Sequence, residues 1–170
     1  PRRKGVSFAD EEDINSIWLN GTIDRQYDVS VLAAGILYRT RRVRLGIELE
    51  SGHPPNISTI ARTAATLREI SPRRLRFSLR FPKLESSKGF LLGESNRRFL
   101  RDVATLLRRI WLGERVSYNK NGILLRNYYG RYVLNLQIPI YFSVMGTDLL
   151  KLAAEIADGV ISRGPKSYLE

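Results

Sequence analysis

Two hydrophobic periods alternate along this chain, and the switches between them divide it into strands and helices. The short apolar run "SIWL" (16–19) is followed by the turn-like "NGTIDRQYD". From Val29 the apolar positions Val29, Leu32, Ala33, Ile36 and Leu37 recur at helical spacing, with Asp28 placed to cap the first turn. "RVRLGIEL" (42–49) changes to a period of two, with Val43, Leu45, Ile47 and Leu49 on one side. "ESGHPPN" breaks the chain, and a second helix is predicted from Ile57, with Ile60, Ala61, Ala64 and Leu67 on its apolar face and Asn56 as its cap. "LRFSL" (75–79) alternates again as a third strand.

After an irregular connection the longest helix is predicted from about Asn96 to Leu112, with Phe99, Val103, Leu106, Leu107 and Ile110 along one side. Residues 115–137 look different: short β-prone runs flank Asn121-Gly122, a hairpin-type turn, and read as a small insertion within a single domain spanning 1–170. The chain then returns to the main pattern in "IPIYFSVMGTDLLKLAAEIADGVISRG" (138–164): a strand from Ile140 to Val144, a turn, an alanine-rich helix and a last strand.

Strands that alternate with helices imply parallel pairing, because each parallel connection needs a long crossover and a helix supplies it. The fold class is therefore α/β. Two architectures fit the order of elements, a doubly wound sheet and a set of units from a (β/α)8 barrel of the TIM type. Periodicity does not separate them.

Composition narrows the chemistry. With no cysteine, disulfide scaffolds, thiolate zinc sites and cysteine nucleophiles are excluded, and the one histidine, His53, excludes a multi-histidine metal centre. The longest apolar run, "VSVLAAGILY", is about half what a membrane span requires. "PRRKGVSF" has no apolar stretch behind its basic residues, so no secretory signal is read there and a cytoplasmic protein is the expectation.

The formal charge of +11 raises nucleic acid as a partner. Arg39, Arg41, Arg42 and Arg44 surround the start of the second strand, however, and Arg73, Arg74 and Arg76 the start of the third. Both groups are expected on the amino-end face, with Arg97, Arg98, Arg101, Arg108 and Arg109 on the outer side of the long helix. Neither aromatic platforms nor a recognition helix accompany this charge, so a solvated basic surface is expected in place of a nucleic-acid site.

Functional groups of parallel α/β folds gather at the carboxyl ends of the strands. Here that rule collects Asn20 and Gly21, then Glu50, Ser51, Gly52 and His53, then Arg80 and Phe81, then Met145, Gly146 and Thr147, and finally Ser162, Arg163 and Gly164. At Gly146-Thr147 a glycine lets backbone approach an anion, the following helix start offers free N–H groups, and Thr147 is placed as its cap. The same residues also satisfy a plain capped turn. Asp158-Gly159 falls between helix end and strand start, on the opposite face, and is read as structural, with the glycine ending the helix in a left-handed turn.

Four of these segments carry a resemblance. "YRTRRVRLGIELESGHPPNISTIARTAATLREISPRRLRFSL" is similar to the luciferase-like superfamily of flavin- and deazaflavin-dependent oxidoreductases. The shared pieces are the strand Thr40–Gly46, the loop His53-Pro54, and the helix and turn from Ala64 to Ser71. The helix ending in tryptophan-x-glycine-glutamate and the alanine-x-glutamate-x-alanine-aspartate-glycine unit continue the likeness over residues 15–164.

The resemblance implies units of a (β/α)8 barrel and a cofactor that is FMN or the 8-hydroxy-5-deazaflavin coenzyme F420. It also implies a small-molecule substrate and an activity of the monooxygenase or methylenetetrahydromethanopterin reductase kind. On that basis His53 is the catalytic candidate beside the ring, and Ser51, Gly52, Gly146, Thr147, Ser162 and Arg163 are the candidate cofactor contacts. Where the family carries a glycine-rich segment after its third matching strand, this chain has "SLRFPKL". A full barrel of this type takes about 250 residues. The five strands read here therefore describe a partial or shrunken barrel, expected to form homo-oligomers or to pair with a complementing chain.

Overall fold

The strands pair in the order in which they occur, and this separates the two architectures. In the computed structural model, which describes residue 12 and residues 14–21, 28–50, 56–80, 93–131, 137–144 and 146–162, β1 (Ser16–Gly21), β2 (Arg44–Glu50), β3 (Leu75–Arg80), β6 (Ile140–Val144) and β7 (Gly159–Ser162) form one sheet. All four pairings are parallel and the order is β1-β2-β3-β6-β7. A doubly wound sheet reverses direction at a switch point and covers both faces with helices. Here the order never reverses. Right-handed crossovers then put every helix on the same face, and the sheet is a curled half of a (β/α)8 barrel.

The helices α1 (Val29–Arg39), α2 (Ile57–Ile70), α3 (Glu94–Trp111) and α4 (Thr147–Ile156) cover that outer face. Leu45, Ile47, Leu75, Phe77, Leu79, Ile140, Phe142 and Val144 of the strands share one buried cluster with Ala33, Leu37, Ala61, Leu100, Leu107 and Leu152 of the helices. Residues one step away along each strand point to the inner face. The predicted caps form: Asp28 accepts hydrogen bonds from the N–H groups of Ser30 (2.7 Å) and Val31 (3.1 Å), and Asn56 from that of Thr59 (3.1 Å). α3 begins at Glu94, two residues before the predicted start, after an uncapped Gly93.

β4 (Val116–Lys120) and β5 (Ile123–Tyr128) form a separate antiparallel sheet around Asn121 (φ 52°) and Gly122 (φ 76°), the positive φ values this turn requires. The hairpin is docked on the helices. Val116, Ile123 and Leu125 join the main core, and the Tyr128 hydroxyl donates to the Ser58 carbonyl (3.3 Å). On its other side Asn121 donates to the Asp102 carboxylate of α3 (2.7 Å).

The basic surface differs from the sequence expectation. Arg74 is half-buried and joins three elements: its Nε donates to Ser71 Oγ (2.6 Å), Nη1 to Thr40 Oγ1 (2.8 Å) and the Val43 carbonyl (3.1 Å), and Nη2 to the Leu37 carbonyl (2.7 Å). The α3 arginines are likewise not all on an outer side. Arg97 pairs with Asp148 (3.8 Å), Arg101 with Glu155, and Arg108 with Asp158 (2.9 Å) and the Ile156 carbonyl (2.7 Å). These three lie along one face of α3, about a helical turn or two apart, and hold α4 and the start of β7 against it. These arginines thus serve as links between elements, while the net charge of +11 remains.

Asp158 is structural, as the sequence indicated. Its carboxylate accepts from the Ile140 N–H (2.8 Å) and its own N–H donates to the Ile140 carbonyl (2.8 Å), which fixes the amino ends of β6 and β7. Gly159 has a different reason from the one expected. It is not among the glycines with positive φ, and a Cβ there would lie 2.4 Å from Cε1 of Tyr141. Glycine is needed for the tyrosine ring.

Candidate functional site

The carboxyl ends of the five strands contribute Gly21, Glu50, Arg80, Val144 and Ser162 to one rim. Next to Val144 in this rim stands Gly146, with φ 89° and ψ 159°, a conformation open to glycine and costly for a β-branched residue. A Cβ built on Gly146 meets nothing within 4 Å, so the space beside this backbone is open. Gly146 is the N-cap of α4 and no side chain caps that helix. Thr147 is therefore the first helical residue, and the predicted threonine cap is not formed, because the cap position falls one residue earlier. The first-turn N–H groups of an uncapped helix carry partial positive charge and suit an anion. Asp148 adds a carboxylate to this turn, and Arg97 stands 3.8 Å from it.

The inner face of the sheet holds a row that the sequence did not signal by any motif. Register aligns Asn20 with Glu48, Glu48 with Ser78 and Ser78 with Tyr141 across four adjacent strands. Glu48 is only 3% exposed and Ser78 is fully buried. Asn20 Nδ2 donates to Glu48 Oε1 (3.2 Å), and Arg80 Nε stands 3.9 Å from the same oxygen. That donation fixes the amide orientation, because the reverse would set Asn20 Oδ1 against a carboxylate. Asn20 Oδ1 and Ser78 Oγ are then buried without a hydrogen-bond partner. Each such atom costs about 1–3 kcal/mol when left unsatisfied, and the pair flanks Glu48.

An aromatic floor joins the row through Tyr141. Trp18 packs over Gly46, where a Cβ would lie 2.1 Å from the indole, and meets Tyr141 edge-on with centroids 5.4 Å apart. The Arg76 guanidinium lies 5.6 Å from the Tyr141 ring centre. The interior of a (β/α)8 barrel is ordinarily filled by branched aliphatic residues, so glutamate, asparagine, serine and arginine here are unusual. The alternation in "RLGIELE" contains the clue, since Leu45 and Ile47 take the outer face and leave Gly46 and Glu48 inside.

The structure brings Gly146, Thr147 and Ser162 to the carboxyl-end rim, with Ser162 half-buried and in register with Val144. Ser51, Gly52, His53, Met145 and Arg163 lie outside the described residues. Among the described residues no group of three or more His, Asp and Glu side chains is placed to hold a metal ion, and no helix is long and apolar enough to cross a membrane.

Comparison with known proteins agrees with this architecture. The 5,10-methylenetetrahydromethanopterin reductase of Archaeoglobus fulgidus is 24% identical over 171 residues, covering 96% of this chain and 49% of the relative. An F420-dependent glucose-6-phosphate dehydrogenase of Kineococcus radiotolerans is 26% identical, covering 93% of this chain and 50% of the relative. The chain thus spans about half the length of the curated relatives it matches. Among solved structures, an F420-dependent secondary alcohol dehydrogenase in complex with an F420-acetone adduct superposes with a TM-score of 0.74 at 17% identity, over 94% of this chain and 53% of that one, a likeness of fold. The family model of luciferase-like monooxygenases matches residues 6–169. With nearly the whole sequence inside that match and the half-barrel to go with it, the chain belongs to the luciferase-like monooxygenase family.

Proposed function

We propose that this chain is the cofactor-binding part of an oxidoreductase that uses the 8-hydroxy-5-deazaflavin coenzyme for hydride transfer. The observation that carries the proposal is Gly146: a left-handed glycine with open space beside it, at the uncapped start of α4, on the functional rim of a parallel sheet. This arrangement suits the cofactor's phosphate. The sequence relatives named for F420 dependence and the fold neighbour complexed with an F420 adduct favour deazaflavin over FMN.

In this proposal the N–H groups following Gly146 and the Thr147 hydroxyl bind the phosphate, and Arg97 offsets the charge of Asp148 so that an anion is tolerated. When bound, the ring supplies the hydride chemistry. The chain's own task is to position the ring and exclude water. Ser51, Gly52, Ser162 and Arg163 are assigned to the rim around it, and His53, the side chain whose ordinary pKa lies nearest neutrality, to proton handling beside it.

Titration of purified chain with phosphorylated and dephosphorylated deazaflavin, followed by quenching of cofactor fluorescence, tests this. The phosphorylated form binds more tightly, Gly146→Val abolishes the difference, and Thr147→Ala weakens binding by about tenfold or less, since only a hydroxyl is lost. Equal binding of the two forms by the unaltered chain, or normal binding by Gly146→Val, would place the phosphate elsewhere. Parallel titration with FMN separates the two ring systems.

A further inference from the structure

The β4–β5 hairpin arranges its charge differently from the long helix it is docked on. Residues 115–131 carry Arg115, Lys120, Arg126 and Arg131 and no aspartate or glutamate. On α3 each arginine has a carboxylate: Arg97, Arg98, Arg101, Arg108 and Arg109 pair with Asp148, Glu94, Glu155, Asp158 and Glu114 in turn. Among the described residues no carboxylate forms such a pair with Arg115, Lys120 or Arg126. Arg115 lies over the half-exposed Tyr129 ring instead, 5.0 Å from its centre.

The outward side of this hairpin is also apolar where strand alternation calls for a polar residue. Ile123 and Leu125 are buried in the core, and Leu124 between them is 55% exposed. Two residues on, Arg126 is exposed again. There the ladder bulges: Val116 pairs with Tyr128 and Tyr118 with Leu125, so Arg126 and Asn127 together oppose Ser117. Asn127 sits at φ 49°, and its N–H donates to Ser117 Oγ (3.1 Å). Bulges of this kind bend a strand and re-aim its side chains. Beside this one lies a shallow, open cavity of about 480 Å³, whose lining includes Ser117, Asn119, Leu124, Arg126 and Asn127.

These features select one kind of partner. Cations without a carboxylate in their own fold gain from anions brought by another molecule, and Leu124 gains from an aliphatic contact. Every second residue of a strand lies about 7 Å along it, which is also the repeat on one side of an extended peptide. Single-stranded nucleic acid stacks its bases on aromatic faces, whereas the outward apolar residue in this cavity is a leucine. A bilayer is level and does not fill a recess. We infer that the outward side of the β4–β5 hairpin docks an extended acidic segment of a partner protein. An aliphatic side chain of that segment rests on Leu124, and a carboxylate two residues along it meets Arg126. The interaction is independent of the cofactor and of the hydride chemistry.

The probe is a labelled nonapeptide, glutamate-serine-leucine-serine-glutamate-serine-leucine-serine-glutamate, which places its long side chains on one face when extended. Anisotropy titration and backbone amide spectra of the full chain at physiological salt follow its binding. The largest shifts fall within residues 117–127. Serine in place of both leucines of the probe, or Leu124→Ser in the chain, weakens binding by about tenfold. Arg126→Gln weakens it by about two- to fivefold, as for one exposed ion pair, and provides a second reading should Leu124→Ser not fold. Arg41→Gln with Arg42→Gln, outside the hairpin, changes it by less than about twofold, because distant charges are screened. Absence of binding, shifts centred elsewhere, equal binding of the leucine-free peptide, or a loss in the Arg41 and Arg42 variant as large as in Arg126→Gln overturns the docking surface. A single-stranded oligonucleotide or a phosphatidylserine vesicle that binds more tightly than the peptide, and loses affinity in Leu124→Ser, overturns the choice of a protein partner.

Discussion

The glycine under Trp18 gives the sharpest test of how the inner face is packed. In Gly46→Ala the new Cβ would fall 2.1 Å from Cε3, 2.3 Å from Cδ2 and 2.5 Å from Cζ3 of the indole. Ordinary carbon contacts lie near 3.5–4.0 Å, so the ring must retreat by well over an ångström. Tyr141 already packs edge-on against that ring, with centroids 5.4 Å apart. Overpacking of this kind costs about 1–3 kcal/mol, and this packed neighbour puts Gly46→Ala in the upper half, about 2–3 kcal/mol. For a domain of this size that lowers Tm by roughly 5–10 °C. Trp18→Leu removes the obstacle, so adding Gly46→Ala to Trp18→Leu should cost less than about 0.5 kcal/mol. Urea denaturation of the two single variants and the double variant measures the coupling. Additive costs, within about 0.5 kcal/mol, would refute the packing described here and with it the aromatic floor.

Three other outcomes follow from the same geometry. Arg74→Lys loses the fork that spans Leu37, Thr40, Val43 and Ser71, and should destabilise by about 2–4 kcal/mol, whereas Arg41→Gln and Arg42→Gln together should cost about 1 kcal/mol or less; denaturant midpoints distinguish them. The Tyr118 phenol is pushed up to about 12, first by burial and then by its hydrogen bond to Asp102. Because the folded value exceeds the unfolded one, this stabilisation is complete below about pH 10 and is lost as pH rises through about 12. Absorbance titration of the chain against Tyr118→Phe should show that late midpoint, and Asp102→Asn should lower it. Finally, Val31 (70% exposed) and Tyr38 (86% exposed) flank Gly35 on the outer side of α1, an apolar stripe on a helix otherwise poor in charge. Sedimentation should show self-association that Val31→Glu with Tyr38→Glu abolishes; a monomer in both would contradict it.

The parts of this fold set by local chemistry were legible in the sequence. Asp28 and Asn56 are short polar side chains ahead of periodic apolar runs, and they cap α1 and α2 as read. β6 occupies the residues its apolar run marked. What depends on distant neighbours was not legible. The order of strands, which separates a half-barrel from a doubly wound sheet, is a long-range property. Gly159 was assigned a turn because its contact with Tyr141 comes from the adjacent strand. Arg74 looked like one more surface cation because its partners lie 31 to 37 residues away. The rim was legible through the carboxyl-end rule and drew attention to Gly146, though Thr147 is a first helical residue and not the cap. The polar row was missed because Asn20, Glu48 and Ser78 lie 28 and 30 residues apart and meet only through strand register.

The central claim is that the carboxyl-end rim at Gly146 holds the phosphate of a deazaflavin. Backbone amide spectra of the isotope-labelled chain, recorded while phosphorylated deazaflavin is added, test it most directly. The largest shifts should fall on Gly146, Thr147 and Asp148, and they should shrink when the dephosphorylated cofactor is used. Shifts confined to the hairpin of residues 116–128 or to the amino-end arginines, with the α4 start unmoved, would contradict it.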